Sequence, residues 1–434
     1  MTKSLKNIVI IGGGAGGLEL ATNLGNRLKR RHKAIVTLVD CNHNHLWKPC
    51  LHQLASGTLD EATESISYMA HAQNHNFQFK IGYMKDVNRK TKQVFLKEVL
   101  DEKGRILIPA RHLDYDILVL AVGSLSNDFG TNGVKEHCVS LDSHHKAKQF
   151  RKEMLNLFLK FSTQPIDTKE INVAIVGGGA TGVELSAELH NMVKQLRNYG
   201  FKTLRDQVLK VTLIEAGTHI LPTLPLKVSS SVHKKLTTLG IKILINTTVM
   251  NVTSNGLYTK NGEYIQSDLM VWSAGIKVSN CMKNIAGLET NSINQCLVSS
   301  TLQTTRDSAI FAIGDCASCT LPTGRTVPPR AQAAHQMATC TYKNILSLLY
   351  KKPLKSYKYY DHGSIISLSR FGTIGSLSIN RKLNPLIIKG YIAYFIYIFI
   401  SRMHQIALHG YIKTAIIVLV DKINRIVRPR IKFQ

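Results

Sequence analysis

Gly12, Gly14 and Gly17 follow directly on the aliphatic run Ile8-Val9-Ile10-Ile11, and Gly177, Gly179 and Gly182 follow on Val173-Ala174-Ile175-Val176. Glycines so spaced, between an apolar run and a helix-like stretch, suit a phosphate-bearing ligand. The first permits a tight turn, the second lets the backbone approach a pyrophosphate, and the third lets a helix pack closely on its strand. The helix N-terminus then directs its free N–H groups at the phosphates. The complete loops are Gly12-Gly13-Gly14-Ala15-Gly16-Gly17 and Gly177-Gly178-Gly179-Ala180-Thr181-Gly182. A lone glycine-rich turn is a weak signal, but here each is followed by a second strand ending in an acid. These are Asp40 after Ala34-Ile35-Val36-Thr37-Leu38-Val39, and Glu215 after Val211-Thr212-Leu213-Ile214. Each acid stands where a ribose hydroxyl needs an acceptor. Glu215 would repel a 2′-phosphate and has no basic residue beside it, so NADH is favoured over NADPH. Two complete units imply two dinucleotides, one held permanently and one that exchanges.

A chain of 434 residues has room for two or three domains. Its formal net charge of +27 suits an anionic partner, either nucleic acid or an anionic membrane surface. Part of that charge is the run Arg27-Leu28-Lys29-Arg30-Arg31-His32-Lys33, where the first helix should end and cations oppose its dipole. The aromatics are not interleaved with basic residues as a single-strand binder requires, so nucleic acid is not expected. The eight cysteines are scattered rather than arranged as a disulfide framework, which points to a reducing compartment. The short apolar run at the N-terminus is interrupted by glycine too early for a signal-peptide core, so a cytoplasmic location is expected. Only Cys316 and Cys319 form a C-x-x-C, and no metal is expected.

The segment Ile310-Phe311-Ala312-Ile313-Gly314-Asp315-Cys316-Ala317 resembles the ribityl-binding segment of the two-dinucleotide-binding flavoprotein superfamily. That resemblance implies FAD in the first unit, its sugar-alcohol chain on Asp315, and NADH in the second. Two further strands fit the pattern, ending in small residues near a cofactor at Gly123 and Gly275. The superfamily's usual redox-active cysteine pair is missing. Cys41 and Cys50 are too far apart, and Cys316 and Cys319 flank the turn after Asp315. Electrons must then leave the flavin directly for a diffusible acceptor.

Ala331-Gln332-Ala333-Ala334-His335-Gln336 resembles the segment that lines the quinone site of type II NADH dehydrogenases, single-subunit NADH:quinone oxidoreductases that do not pump protons. Gln332 and Gln336 lie one helical turn apart, so both amides can face one pocket and bond quinone carbonyls without adding charge. Met337 stands where a second glutamine often follows in the family. The resemblance runs nearly end to end and is nearest the proteobacterial enzymes. Within it, His45-Leu46-Trp47-Lys48-Pro49 resembles the loop along the flavin, with Lys48 as a cation near the reduced ring, while Gln53 replaces an expected acid. Glu184, just past Gly182, is implied to lie near the nicotinamide.

These readings imply an α/β fold of two Rossmann-like domains with a C-terminal membrane-associating region. The FAD domain is expected at 1–165 and 278–345, the NADH domain at 166–277, and a last part at 346–434 containing strands and then two helices. The twelve uncharged residues from Gly390 to Ser401 would make a helix of about 18 Å, short of the roughly 30 Å hydrocarbon core. The tail is therefore expected to lie on an anionic membrane surface, with Ile412, Ala415, Ile416, Leu419, Ile423 and Ile426 on one face. From Arg381 onward it holds ten Lys or Arg and one acid, Asp421. The expected partners are a membrane quinone, anionic lipid and, as a further candidate, a second copy of the chain, all at the cytoplasmic face of the inner membrane. Two rival readings are a thiol-linked or sulfide:quinone flavoenzyme using Cys316 and Cys319, and a non-enzymatic NADH redox sensor.

Overall fold

In a computed structural model of the chain, the described residues are 5–28, 33–162, 170–198, 208–378 and 385–427. Of the basic run Arg27–Lys33, residues 29–32 lie outside these, as do residues 381–384 and everything beyond 427. In chain order the site-bearing elements begin with β1 (Lys6–Ile11), α1 (Ala15–Leu28), β2 (Ala34–Asp40) and β3 (Ile117–Leu120). There follow β4 (Ile171–Val176), α2 (Ala180–Asn198), β5 (Leu209–Ile214) and β6 (Leu269–Trp272). The last are β7 (Asp307–Ala312), α3 (Ala331–Leu349) and α4 (Gly390–Val427).

The chain divides into two compact units, one of residues 1–47, 65–125 and 276–361, the other of 48–64, 126–275 and 362–434. In the first, β1 lies between β2 and β3, parallel to both, with Ile10 opposite Leu38 and Val119. β7 continues the sheet beside β3, so the Gly314-Asp315 turn leaves the sheet at the same end as the first glycine loop. Ile8, Val9, Ile10 and Ile11 are all buried. Aliphatic side chains on both faces suit a strand covered by helices on each side.

In the second unit, β4 lies between β5 and β6, again parallel to both, with Val176 opposite Ile214 and Trp272. Cys138–Ser140 adds a strand beyond β6, and Lys242–Leu244 one beyond β5. Residues 126–162 pack with this unit, where the Cys138–Ser140 strand pairs, among the described residues, only with β6. The loosely alternating stretch after Gly363 forms three antiparallel strands, Gly363–Ser367, Thr373–Leu377 and Leu386–Lys389.

The tail departs from expectation in length. Element α4 is two helices meeting at a kink at Gly410 (φ +76°), the expected pair, and the first of them runs past Arg402 rather than stopping there. Arg402 is accommodated by Glu64 at 3.7 Å, and Gln405 donates to the same carboxylate. Gly390–Val420 is long and apolar enough to cross a membrane, so length alone does not exclude crossing. Within that stretch Ala393, His404, Leu408 and Thr414 are buried and α4 packs on the three-stranded sheet, while most of the apolar surface is exposed. The segment after Gly410 exposes Tyr411, Ile412, Ile416, Leu419, Val420 and Ile423 and buries Thr414. Its 17 residues to Val427 span about 26 Å, less than the hydrocarbon core.

Candidate functional site

The two glycine loops are congruent down to single atoms. Gly12 has φ +105° and Gly177 φ +111°, conformations that suit glycine. A Cβ on Gly17 would lie 1.9 Å from the Gly12 carbonyl oxygen, and one on Gly182 would lie 2.1 Å from that of Gly177. The third glycine of each loop is thus fixed by helix–strand contact. The middle glycines differ: a Cβ on Gly14 or Gly179 would meet nothing within 4 Å. Those two positions leave open space at a helix N-terminus, the form a pyrophosphate cradle requires. The residues present therefore fit a dinucleotide in each unit.

The terminal acids hold the loops in the same way. Asp40 accepts from the Gly13 N–H at 2.6 Å and from the Asn42 N–H at 2.8 Å. Glu215 accepts from the N–H groups of Gly178 and Gly217, each at 2.7 Å. Asp40 Oδ1 accepts from the Asn42 side-chain amide as well, at 2.9 Å, so Asp40 Oδ2 and both oxygens of Glu215 each keep a further lone pair for a ribose hydroxyl. Two residues complete the first loop: Tyr68, which sequence reasoning passed over, and His45, the first residue of the stretch likened to the loop along the flavin. Tyr68 donates its hydroxyl to the Gly13 carbonyl at 2.7 Å, and His45 Nδ1 bonds the same oxygen at 2.9 Å. Tyr68 is buried and stacks on Phe79. Burial holds His45 neutral, its pKa lowered to about 4, so its Nδ1–H donates without bringing charge.

Asp315 follows Gly314 (φ +70°) and accepts from the Ser124 hydroxyl at 2.7 Å, while its own carbonyl accepts from Gln295 at 2.8 Å. Gly123, adjacent to Ser124, has φ +70° and open space where a Cβ would stand. The Met337 sulfur accepts from the Gly314 N–H at 3.2 Å and is buried. That placement accounts for a methionine where a polar residue was expected to line the site. Gly16 packs under α3, where a Cβ would come within 3.0 Å of the Ala334 carbonyl oxygen, and His335 of that helix contacts Glu19 of α1.

Gln332 and Gln336 do share a face, but both amides are engaged by the chain itself. Gln332 donates to Asp361 at 3.2 Å; Gln336 donates to the Tyr360 carbonyl at 2.8 Å and accepts from the Tyr360 N–H at 2.9 Å. Lys48 is exposed and begins the single turn Lys48–Cys50 in the second unit, and Gln53 reaches the Tyr397 hydroxyl only at 3.5 Å. Gly275, at φ +60°, closes the end of β6.

Glu184 lies near the start of α2 and is buried. It accepts from the Ser367 N–H at 2.9 Å and lies 3.5 Å from His52 Nδ1. Desolvation raises its pKa to about 8, opposed by the Ser367 bond and reinforced by Glu188 one turn on. Burial pushes Glu188 upward as well, and lowers His52 to about 4. Glu184 and His52 are therefore both neutral near pH 7, and theirs is not an ion pair.

The stability consequence has a definite sign. A carboxyl whose folded pKa stands near 8 against an ordinary 4.5 binds more protons folded than unfolded, so stability falls as pH rises between those values. His52 acts below its ordinary 6.5 in the opposite direction, so the range above pH 6.5 isolates the carboxyls. Glu184→Gln should flatten the loss of stability between pH 6.5 and 8, worth at most about 1.4 kcal/mol per pH unit for one proton. Urea melts of both proteins across that range measure it. Parallel slopes would mean that Glu184 is ionised in the fold.

The thiols are poorly suited to redox work. Cys316 and Cys319 are buried, and burial raises both to about 11. The Cys316 thiol donates to the carbonyls of Leu120 and Ile313. Among the described residues no group of three or more His, Cys, Asp or Glu is placed to hold a metal ion.

Two glycine cradles with paired acids define a flavin- and pyridine-nucleotide-dependent oxidoreductase, and residues 6–338 match the pyridine nucleotide-disulphide oxidoreductase family. Along nearly its whole length the chain is similar to a type II NADH:quinone oxidoreductase of Haemophilus influenzae, with 49% identity over 99% of this chain and 100% of the relative. The chain belongs to the type II NADH:quinone oxidoreductases, within the pyridine nucleotide-disulphide oxidoreductases. Its fold matches NDH2 from Plasmodium falciparum in complex with NADH, at TM-score 0.82 and 20% identity, covering 99% of this chain and 100% of that one. It also matches the sulfide:quinone oxidoreductase of Aquifex aeolicus, at TM-score 0.73 and 18% identity, covering 97% and 95%.

Proposed function

We propose that the first unit holds FAD and the second takes NADH, in a protein that oxidises NADH and reduces quinone. The overall reaction and its cofactors follow from family membership; the residue roles are our reading. Bound FAD supplies the two-electron carrier between the hydride donor and the quinone. The backbone of Gly12 to Gly17 receives its pyrophosphate, Asp40 its ribose, and Asp315 with Gly123 its sugar-alcohol chain. Gly177 to Gly182 receive the pyrophosphate of NADH, and Glu215 accepts from its adenosine ribose and rejects a 2′-phosphate. Lys48 provides positive charge for the reduced ring. Gln332 and Gln336 line the quinone site, exchanging their bonds to residues 360–361 for quinone carbonyls. Glu184, neutral at pH 7, lies by the nicotinamide and has a proton to give. The observation that carries the reading is the duplicated cradle, with open middle glycines at Gly14 and Gly179 and an acid tied to each loop.

The protein associates with the membrane, and we place the segment after Gly410 on its cytoplasmic surface, drawn by anionic lipid. The test of the electron path is anaerobic. NADH should bleach the flavin band rapidly, NADPH should not, and a short-chain ubiquinone analogue should restore the colour. Bleaching without recovery by any quinone would defeat the quinone assignment and favour a sensor. A Cys316→Ser/Cys319→Ser double variant should keep most of its turnover, because serine can make the same hydrogen bonds. Its loss would restore the thiol-linked reading.

A further inference from the structure

We propose that Phe129 positions the nicotinamide half of NADH, an inference that rests on the second unit being the NADH unit. Phe129 is 66% exposed, yet its backbone is in the left-handed region at φ +53°, costly for a residue with an aromatic side chain. The loop around it is fastened on both sides. The Trp272 indole N–H donates to the Asn127 carbonyl at 2.7 Å, and the Asn127 N–H donates to the Ala274 carbonyl at 3.3 Å. The Phe129 N–H donates to the Asn127 side-chain oxygen at 3.1 Å. The ring is thereby laid on Gly275, where a Cβ would lie 2.4 Å from Phe129 Cζ. A strained backbone, a glycine with positive φ beneath the ring and an indole bond thus hold in place an aromatic side chain that buries little.

The location says what the ring is for. In an open parallel sheet the ligand crosses the carboxyl ends of the strands where the strand order reverses. Here β4 carries the glycine loop, β5 on one side carries Glu215, and β6 on the other ends at Ala274-Gly275. The glycine loop abuts that end, since a Cβ on Gly177 would come within 2.8 Å of the Ala274 nitrogen. With the adenosine ribose on Glu215 and the pyrophosphate on the loop, the other half of the dinucleotide runs toward β6 and meets the Phe129 ring. A flat aromatic face is suited to a planar heterocycle and orients it at low entropic cost.

The test uses flavin-loaded protein and two ligands that differ only in the nicotinamide, NAD⁺ and ADP-ribose. In Phe129→Leu, NAD⁺ affinity by calorimetry should fall about 10-fold, while ADP-ribose affinity stays within about 2-fold. Flavin reduction at saturating NADH should slow, its isotope effect with 4-deuterated NADH should change, and Phe129→Tyr should restore both. Retained ADP-ribose binding certifies the fold of each variant. Equal weakening of the two ligands, or no weakening of NAD⁺, overturns the proposal. Glu215→Ala separates this from failure of the underlying assignment. If the unmodified protein does not bind ADP-ribose, or Glu215→Ala leaves that binding unchanged, the second unit is not the NADH unit and the inference falls with it.

Discussion

A Gly179→Val variant is expected to fold, bind FAD and appear yellow, yet to lose bleaching by NADH by on the order of 100-fold or more, because the dinucleotide phosphates can no longer approach the backbone. The expectation rests on the contrast within each loop. A Cβ on Gly182 would strike the Gly177 oxygen at 2.1 Å, so substitution there breaks the strand–helix contact and removes fold and function together. A Cβ on Gly179 meets no atom of the protein within 4 Å, and only a bound pyrophosphate would collide with the added methyls. Gly14→Val is the matching change in the first loop and should give a folded but colourless protein. Flavin absorbance, circular dichroism and anaerobic titration with NADH read all three quantities. A Gly179→Val protein that bleaches normally would refute the assignment of the second loop. Exchange of the two phenotypes, colourless at Gly179 and unbleached at Gly14, would reverse the roles of the units.

The glycine loops were legible in the sequence because their spacing is set by contacts inside one supersecondary unit. Gly12 and Gly17 lie five residues apart and touch, as do Gly177 and Gly182, so local geometry alone demands them. The acids at Asp40 and Glu215 were legible for the same reason, being the ends of the next strands. Tyr68 and His45 were not. Both meet the Gly13 carbonyl, across 55 and 32 residues, and although His45 opens the stretch likened to the loop along the flavin, local spacing does not reveal that contact. The burial of Glu184 was not legible either: desolvation raises its pKa to about 8 against the bond from the Ser367 N–H, 183 residues away. Helical spacing rightly placed Gln332 and Gln336 on one face but could not name Asp361 and Tyr360 as what they face. Phe129 left no signal at all. Its backbone strain and its seat on Gly275 exist only once residues 126–133 are folded against β6. The length of α4 was misjudged because a charge was taken to end an apolar helix, whereas Glu64 and Gln405 accommodate Arg402 within it.

Replacing Ile412, Ile416 and Leu419 together with aspartate should release the protein from anionic vesicles by on the order of 100-fold or more, while NADH oxidation by a water-soluble quinone analogue continues. Beyond Gly410 these side chains are 79%, 56% and 59% exposed, and Ala415 and Ile423 on the same face are exposed too, so the face expected from helical spacing is open. The side chains of Asp421, Asn424, Arg425, Ile426 and Arg428 lie outside the described residues. Burying one aliphatic side chain in lipid contributes about 1.5–3 kcal/mol, so removing three, and adding three anions next to anionic lipid, costs at least the roughly 100-fold expected. Before Gly410 a second exposed stripe, Tyr391, Phe395, Phe399 and Met403, recurs every fourth residue on a segment whose Ala393 and Leu408 are buried. That stripe would keep some affinity in the triple variant, and its own substitution should deepen the loss. Cosedimentation with vesicles of graded anionic content measures the partition. Unchanged partition would mean that the face after Gly410 is covered by a second copy of the chain, which sedimentation equilibrium would reveal as a dimer dissociated by the same changes. Alkaline carbonate separates the remaining geometries. A surface-lying helix is released by it, and a helix that crosses stays with the bilayer, which would overturn the surface placement.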